Sequence, residues 1–542
     1  MPRYDYQPFD YVTPPGINGV EQRHKVAIVG AGPIGLALAI DLALKGVPSV
    51  LLDDNNVVSV GSRAICWAKR TLEIFDRLGI GERMLEKGVT WKVGRLFHGD
   101  EEVYNFDLLP EEGHKYPAFI NLQQYYVEEY LVERARDFSE LIDLRFKNKV
   151  VGHQDCGTHV SLSIETPDGA YSLESDYVIA CDGARSPTRE RMDLAFAGQT
   201  FEENFLIADV EMEESPFDTE VPERWFWFKP PFHQGQSALL HKQPDNIYRI
   251  DLQLGPYADP KKEANEENVL PRIRKIVGDK PFTLDWMSVY RFQCARLERF
   301  VHNRVIFAGD SAHVVSPFGA RGGNGGIQDI DNLGWKLALV VSGKADANLL
   351  ETYNAERVHG ADENILNSAR ATNFMTPKSD IEHLFRDEVL RLAKTEPFAR
   401  KLINSGRLST PCSLERFSIP AATVGRVAAG MAAIDAPLLG PYGHCWLIEQ
   451  LEGAFTYVQF SGKPLPKLPG LKTLSVIHQG TPCEATLIDE AGLATERYGD
   501  DTGYLFRPDG HIIASFSNPT PEQINAALSC AKGSNLTNLA AE

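Results

Sequence analysis

The sequence predicts an α/β protein in which an antiparallel sheet is inserted into a parallel sheet and a further domain follows. Three observations support this prediction. Apolar strands at residues 25–29 and 305–308 each run into glycine-rich turns and then into helices. Between them, residues 191–295 alternate apolar and polar side chains, which is typical of antiparallel strands. From about residue 411 a new series of short strands begins, which indicates a separate domain.

The first strand leads into a nucleotide-binding motif. Gly30, Gly32 and Gly35 follow it directly, and a helix and a second strand then lead to Asp53. In this context the first glycine permits the turn, the second lets a pyrophosphate approach the backbone, and the third lets helix and strand pack closely. Asp53 is placed to bind ribose hydroxyls. The pattern predicts an adenine dinucleotide without deciding between FAD and NAD.

The second glycine-rich segment extends from Arg304 to Leu337. Its strand ends at Asp310, and a carboxylate at the carboxyl end of such a strand points into the ligand crevice. Five glycines among residues 319–326 form a loop too bare of side chains to pack as an element. The helix that follows has an amino end with a partial positive charge. We therefore expect this loop to hold a flat or anionic ligand.

Composition narrows the possible partners and compartments. The chain has 542 residues and a formal net charge of −19, which argues against nucleic acid and anionic membranes as partners. Its eight cysteines form no C-x-x-C pair and no metal-ligand spacing with histidine, so we expect reduced thiols and no metal site. A signal pattern and a long apolar run are both absent from the sequence. We therefore expect a cytoplasmic protein.

Three separated motifs together resemble those of one enzyme family. They are the glycine turn at 30–35, the sequence CDGARS at 181–186, and Gly309-Asp310 followed by the loop at 317–329. Over residues 24–400 the chain resembles the single-component FAD-dependent aromatic hydroxylases, also called class A flavoprotein monooxygenases. It looks closest to the branch that contains hydroxyphenylpropionate hydroxylases and polyketide hydroxylases.

The resemblance implies a glutathione-reductase-type Rossmann domain that binds FAD. NADPH or NADH would be a cosubstrate without a Rossmann domain of its own. The adenosine of FAD would lie on the first motif, its ribityl chain near Asp310, and its isoalloxazine ring against the glycine loop. The cofactor-binding residues carried over by motif are Gly30, Gly32, Pro33, Ile34, Gly35, Asp53, Arg63, Gln124, Val150, Asp182, Arg185, Asp310, Gly322, Gly323 and Asn324.

The reaction implied is hydroxylation of a small phenolic substrate, such as a phenolic acid, with O₂ through a flavin C4a-hydroperoxide. Pro317 would border the reaction site. Ionising a phenol at neutral pH costs about 4 kcal/mol, so the site must supply a base or a donor to the phenolate. His241, Arg249, Tyr290 and Tyr248 are candidates, because strands of the inserted sheet could aim them inward.

The same reasoning gives the predicted domain boundaries. Residues 1–23 form an extension, 24–190 and 296–405 the two parts of the FAD-binding domain, and 191–295 the sheet over the substrate. Residues 406–542 resemble the thioredoxin-like domain of the polyketide and phenol hydroxylases, but they lack C-x-x-C. A structural role or a contact in a homodimer is therefore expected of them.

Departures from the family pattern leave alternatives open. Arg321 stands where many relatives have glutamine, and Asp54 stands where many have a basic residue. A flavin oxidoreductase without hydroxylation and a hydroxylase of polycyclic polyketides or antibiotics both remain possible. Trp225-Phe-Trp227 resembles part of the flavin halogenase signature, but it also fits a strand covered on both faces. Non-catalytic escort proteins share the first motif but lack the Asp310 segment.

Overall fold

The computed structural model describes residues 4–533 apart from 20, 110, 218, 220, 404–410, 419–423, 452 and 467. Its strands up to the inserted sheet are β1 (His24–Val29), β2 (Ser49–Leu52), β3 (Cys66–Ala68), β4 (Val89–Thr90), β5 (Val93–His98), β6 (Glu101–Asp107), β7 (Phe119–Asn121), β8 (Ile142–Arg145), β9 (Lys149–Asp155), β10 (Val160–Thr166) and β11 (Gly169–Ala180). Those that follow are β12 (Ala197–Glu211), β13 (Arg224–Phe228), β14 (Ala238–Lys242), β15 (Ile247–Gly255), β16 (Thr283–Arg296), β17 (Val301–His302), β18 (Val305–Phe307) and β19 (His313–Val314). The carboxyl-terminal strands are β20 (Pro437–Gly440), β21 (Gly443–Trp446), β22 (Thr456–Phe460), β23 (Lys472–Ile477), β24 (Thr486–Ile488), β25 (Thr502–Phe506) and β26 (Ile512–Phe516).

The helices are α1 (Pro33–Leu44), α2 (Lys69–Leu78), α3 (Gly81–Lys87), α4 (Gln124–Arg136), α5 (Pro187–Arg191), α6 (Pro260–Glu263), α7 (Glu266–Val277), α8 (Gly322–Val341), α9 (Leu349–Met375), α10 (Asp380–Ala393), α11 (Pro397–Ile403), α12 (Leu447–Leu451), α13 (Leu493–Tyr498) and α14 (Pro521–Ala531). In the part of the chain that the structure describes, none of these helices is long and apolar enough to cross a bilayer.

The nucleotide-binding domain is built on a mostly parallel sheet. Its main path runs β17-β18-β11-β1-β2-β8, and β1 pairs in parallel with both β2 and β11. Strand β18, predicted from the second glycine-rich segment, pairs in parallel with β11. Because parallel strands end at the same edge of a sheet, the residues that follow β1, β2, β11 and β18 meet there. The α/β fold class is confirmed.

The inserted sheet is larger than the predicted range of 191–295. Its eight strands run β19-β16-β12-β15-β14-β13-β5-β6. Strands β5 and β6 come from the segment that was assigned to the FAD-binding domain, and β5 joins the edge through a parallel pair with β13. A parallel pair between segments so distant in sequence leaves no local signal, so the prediction missed it.

The two faces of this sheet have different neighbours. One face packs against α7, and its cluster includes Trp225, Trp227 and Tyr248. The tryptophan pair therefore serves packing on a covered strand, as the alternation suggested. Tyr248 was predicted as a candidate for substrate activation, but it is buried on this face and points away from the nucleotide-binding domain. The opposite face carries residues 205 and 207 of β12 toward that domain.

The carboxyl-terminal domain has a seven-stranded mixed sheet in the order β21-β20-β24-β23-β22-β25-β26. Strands β22, β23 and β24 are parallel, whereas β25 and β26 are antiparallel to their neighbours. The series of short strands predicted from about residue 411 is present, with β22, β23, β25 and β26 among its members. The predicted boundary at 405/406 lies outside the described residues, and the thioredoxin-like character of this domain stays a prediction.

A buried ion network joins this domain to α8 and α9. Glu356 on α9 accepts hydrogen bonds from Lys336 on α8 at 2.9 Å and from Arg507 at 2.8 and 2.9 Å. Arg507 belongs to the turn between β25 and β26, and Asp509 of that turn accepts from the indole of Trp335 at 3.3 Å. Burial alone would raise the pKa of Glu356, but Arg507 and Lys336 outweigh it and lower the pKa to about 2.

Glu356→Ala is expected to lower the free energy of unfolding by about 3 kcal/mol, because it removes the carboxylate that pairs with the buried cations Lys336 and Arg507. The matched control is Glu351→Ala on the same helix, since Glu351 forms an exposed pair with Arg299 at 2.6 Å. That pair should contribute no more than about 1 kcal/mol. Urea unfolding followed by tryptophan fluorescence measures both changes, and equal losses in the two variants would contradict the assignment.

Candidate functional site

The three motifs converge on the side chain of Ile34. A Cβ added to Gly309 would lie 2.9 Å from Cγ1 of Ile34, and one added to Gly326 would lie 2.6 Å from its Cδ1. Gly30 has φ of +105°, and a Cβ there would come within 2.5 Å of the carbonyl oxygen of Cys181. These glycines are therefore required by close approach of separate chain segments. The three motifs therefore lie together at one edge of the sheet.

Two helices begin at this edge without a side-chain cap. Neither Gly32 before α1 nor Arg321 before α8 caps its helix with a side chain. The first amides of a helix lack intrahelical partners and attract anions. A Cβ on Gly32 would meet no atom within 4 Å, so the space above this turn is open. Open space beside uncapped amides fits the diphosphate of a dinucleotide.

The predicted glycine loop is shorter than expected. Helix α8 already begins at Gly322, and the amide of Gly325 donates to the carbonyl of Arg321 at 2.7 Å. The amides available to a ligand are therefore those of Gly322, Gly323 and Asn324, rather than the whole run to Gly326. Glycine's low helix propensity favoured a loop in the sequence, but packing of α8 against α1 overrides it.

The amino end of α8 is fixed by its own side chains. Asn324 Oδ1 accepts from the amide of Ala68 at 2.9 Å, and its Nδ2 donates to the carbonyl of Cys66 at 2.9 Å. Asp329 accepts from the amide of Gly309 at 2.9 Å and from His313 at 2.7 Å. The side chain of Asn324 thus positions the helix end, and only its backbone amide remains for a flavin.

The acidic residues at the strand ends have different surroundings. Asp53 follows β2, where its carboxylate accepts from the amides of Ala31 at 2.6 Å and Asn55 at 2.8 Å. Burial is the main reason that the pKa of Asp53 is raised. Asp310 is exposed just after β18, in the short turn that begins at Gly309. Both carboxylates lie at the edge where the predicted ligand would pass.

The loop at 61–64 is held between the two sheets. Arg63 has φ of +45° and is exposed, and Gln124 Oε1 accepts from the amide of Ala64 at 3.2 Å. The sequence suggested that this loop leads directly into a helix, but β3 lies between the loop and α2. Arg63 Nε donates to the carbonyl of Val60 at 3.3 Å, and its contact with a phosphate stays a prediction, whereas Gln124 supports the loop.

The remaining predicted cofactor contacts lie around the second motif. Asp182 accepts from the hydroxyl of Ser186 at 2.5 Å and from the amide of Thr188 at 3.0 Å, which fixes the turn into α5. Arg185 is exposed on that turn. Val150, one of the predicted cofactor contacts, lies near the start of β9 rather than at a strand end, and its carbonyl accepts from Arg191 at 2.7 Å.

A cavity lies between the inserted sheet and the start of α8. Its lining residues are Phe205, Ile207, Arg224, Leu239, Asp251, Phe292, Pro317 and Phe318. The aromatic rings of Phe205, Phe292 and Phe318 pack within 4.8 to 5.7 Å of one another. Pro317, predicted to border the reaction site, is therefore part of the wall of an aromatic cavity next to the predicted flavin position.

The predicted activating residues have partners of their own. His241 lies 3.3 Å from the carboxylate of Asp251, and burial together with Arg224 lowers the pKa of His241 to about 4. Arg249 donates to Asp251 at 3.0 Å and to the carbonyl of Arg63 at 2.6 Å, so it binds the sheet to the 61–64 loop. Burial and the nearby Arg224 keep His241 neutral at pH 7, and Arg249 is a structural link between the sheet and the loop.

Two charged residues of the cavity were not predicted from the sequence, whereas Tyr290 was predicted as a candidate for substrate activation. Arg224 and Asp251 line the cavity, whereas Tyr290 packs half-buried beside the aromatic cluster. Arg224, His241 and Arg249 are opposite one another on β13, β14 and β15. The alternation of β13 contained the signal, because an arginine occupies a position in phase with Phe226 and Phe228.

The sequence matches the protein family described as "FAD binding domain" over residues 23–368. A 12-dehydrotetracycline 5-monooxygenase/anhydrotetracycline 6-monooxygenase of Streptomyces rimosus is 30% identical, over 71% of this chain and 76% of that protein. A 3-(3-hydroxy-phenyl)propionate/3-hydroxycinnamic acid hydroxylase of Mycolicibacterium gilvum is 29% identical, over 70% of this chain and 65% of that protein. The crystal structure of the flavin-dependent monooxygenase PieE, in complex with FAD and substrate, has a TM-score of 0.78 at 21% identity, over 95% of this chain and 99% of that one.

The fold and the site thus define a flavoprotein. The chain belongs to the FAD-dependent aromatic hydroxylases, a family of flavoprotein monooxygenases, and its cofactor is FAD. The predicted family, fold class and cofactor are confirmed. The open turn at Gly32 and the uncapped starts of α1 and α8 are features of this chain that fit the diphosphate and the flavin. NADPH or NADH is the usual cosubstrate of the family.

Gly32→Ala is expected to reduce FAD occupancy severalfold without lowering the melting temperature of the apoprotein. The protein has room for this methyl group, whereas a bound diphosphate would meet it. Gly462→Ala is the control, because Gly462 also has open space and no positive φ but lies in the carboxyl-terminal domain. The ratio of absorbance at the flavin band to that at the protein band reports occupancy. Equal occupancy in Gly32→Ala and parent would refute the placement.

Proposed function

We propose that this enzyme hydroxylates a small phenolic substrate, with a phenolic acid as the preferred class, and uses NADPH or NADH and O₂. The aromatic cavity at Pro317 carries the proposal, because it lies beside the amides of α8 that fit a flavin. When bound, FAD supplies the redox chemistry that transfers one oxygen atom. The protein's share is to bind the ring, orient it and exclude water.

The lining of the cavity, rather than its size, supports an aromatic substrate. Phe205, Phe292 and Phe318 can hold a ring by stacking and edge contacts. A polyketide hydroxylase is the second candidate, and the similarity to a tetracycline monooxygenase favours it.

Activation of a phenol would depend on positive charge rather than on a base. Burial alone would raise the pKa of Asp251, but Arg249 and His241 outweigh it and hold that pKa well below its usual range. His241 is neutral at pH 7 with a pKa of about 4, so neither group readily takes a proton. Amides at the start of α8 would stabilise negative charge that develops on a flavin.

We expect the purified protein to be yellow and to oxidise NADPH or NADH faster when 3-hydroxyphenylpropionate is added. The product should be heavier than the substrate by one oxygen atom, which mass spectrometry measures. Stimulated oxidation that yields only hydrogen peroxide would favour a flavin oxidoreductase without hydroxylation. Turnover of anhydrotetracycline but of no single-ring phenol would favour the polyketide alternative.

A further inference from the structure

Arg224 is a buried cation without an anionic partner. Only 4% of the residue is exposed, yet it lines the cavity at Pro317. Among the residues that the structure describes, no carboxylate lies within ion-pair distance of its guanidinium, and its Nε has no hydrogen-bond acceptor. Its Nη1 lies 3.6 Å from the sulfur of Cys66, which is a weak acceptor. Burying a charge without a partner is costly.

The neighbouring arginine shows how a buried guanidinium on this face is otherwise satisfied. Arg249 lies two strands away in the same row and is equally buried. It donates to Asp251 and to the carbonyl of Arg63, so its donors are well used. Asp251 is thereby engaged with Arg249 and His241 rather than with Arg224. The difference between the two arginines indicates that the partner of Arg224 is not part of this chain's described residues.

The rings around Arg224 orient its guanidinium. It lies 4.8 Å from the ring centre of Phe226 and 5.6 Å from that of Trp91. These rings flank the guanidinium, and a planar guanidinium can offer paired N–H donors to an oxyanion. A carboxylate or a phenolate fits this geometry, whereas a cationic ligand would be repelled.

We propose that Arg224 is the binding residue for an oxyanion of the aromatic substrate, either a carboxylate or a phenolate. The ring of the substrate then occupies the space between Phe205, Leu239 and Pro317, next to the start of α8. This inference rests on the proposed function only in taking the cavity as the substrate site. It concerns binding, so the test below requires no turnover.

The experiment measures ligand affinity of the FAD-loaded protein by calorimetry in the absence of NADPH and NADH. The probes are 3-phenylpropionate, 4-nitrophenol and the neutral 3-phenylpropanamide. Arg224→Met should lower the affinity for 3-phenylpropionate roughly 10- to 100-fold, because a charge-assisted contact is lost. It should change the affinity for the amide less than about threefold. Arg224→Lys should retain part of the affinity, since a point charge replaces a planar pair of donors.

The phenol probe distinguishes the source of the oxyanion. If Arg224 binds phenolates, 4-nitrophenol should bind in its ionised form, which a difference spectrum against the same holoenzyme detects, and Arg224→Met should abolish that signal. If it binds carboxylates, only 3-phenylpropionate should depend on Arg224. Either result supports the proposal. A parent protein that binds neither anion more tightly than the amide would overturn it.

Thermal melting separates a binding role from a structural one. Arg224→Met should leave the melting temperature of the ligand-free protein unchanged or raise it, because an unpaired buried charge is removed. Arg249→Met should lower it by several degrees, since Asp251 loses its partner. If Arg224→Met instead lowers the melting temperature as much as Arg249→Met does and reduces the affinity for all three probes equally, Arg224 has a structural role and the proposal fails. Hydroxylation is assayed separately from binding. A protein that binds the anion but does not hydroxylate it therefore contradicts only the proposed function.

Discussion

The close approach of α1 to α8 is the contact on which the rest of the structure depends. Ile34 fills the space that side chains on Gly309 and Gly326 would otherwise occupy, and a Cβ on Gly334 would lie 1.8 Å from the carboxylate of Asp41. Glycine at these positions lets two helices from distant parts of the chain begin at one sheet edge. Both helix starts then direct unpaired amides toward the same ligand. A shift of either helix would separate the diphosphate and flavin contacts.

Charge on the cavity face of the inserted sheet is arranged in one row. Arg224, His241, Arg249 and Asp209 lie opposite one another on β13, β14, β15 and β12. Burial raises the pKa of Asp209 to about 6 despite the nearby Arg249. Within this row, Arg249 is paired with Asp251 and also binds the 61–64 loop. Arg224, which lines the cavity, has no carboxylate partner among the described residues. This face therefore holds the inserted sheet to the nucleotide-binding domain. It also carries Arg224, which we propose binds an oxyanion of the substrate.

The carboxyl-terminal domain acts on the same helix from its far side. Arg507 and Asp509 contact Glu356 and Trp335, and Trp335 lies on α8 well past the amides that fit the flavin. The turn at 507–510 is therefore an interdomain contact rather than a simple connection. Because buried ion pairs tolerate little displacement, this contact restrains α8 along its axis. This contact links the carboxyl-terminal domain to the helix that begins at the predicted cofactor site.

The sequence by itself determined the two glycine motifs, the strands that precede them, the family and FAD, because these depend on local spacing and backbone freedom. It also predicted the strands of the last domain. Only the tertiary structure decided that residues 93–107 join the inserted sheet, that α8 begins at Gly322, and that Tyr248 turns away while Arg224 faces the cavity. Alternation tells which side chains of a strand share a face, but not which face meets the cavity or which buried charge finds a partner. Those outcomes depend on contacts between residues far apart in the chain.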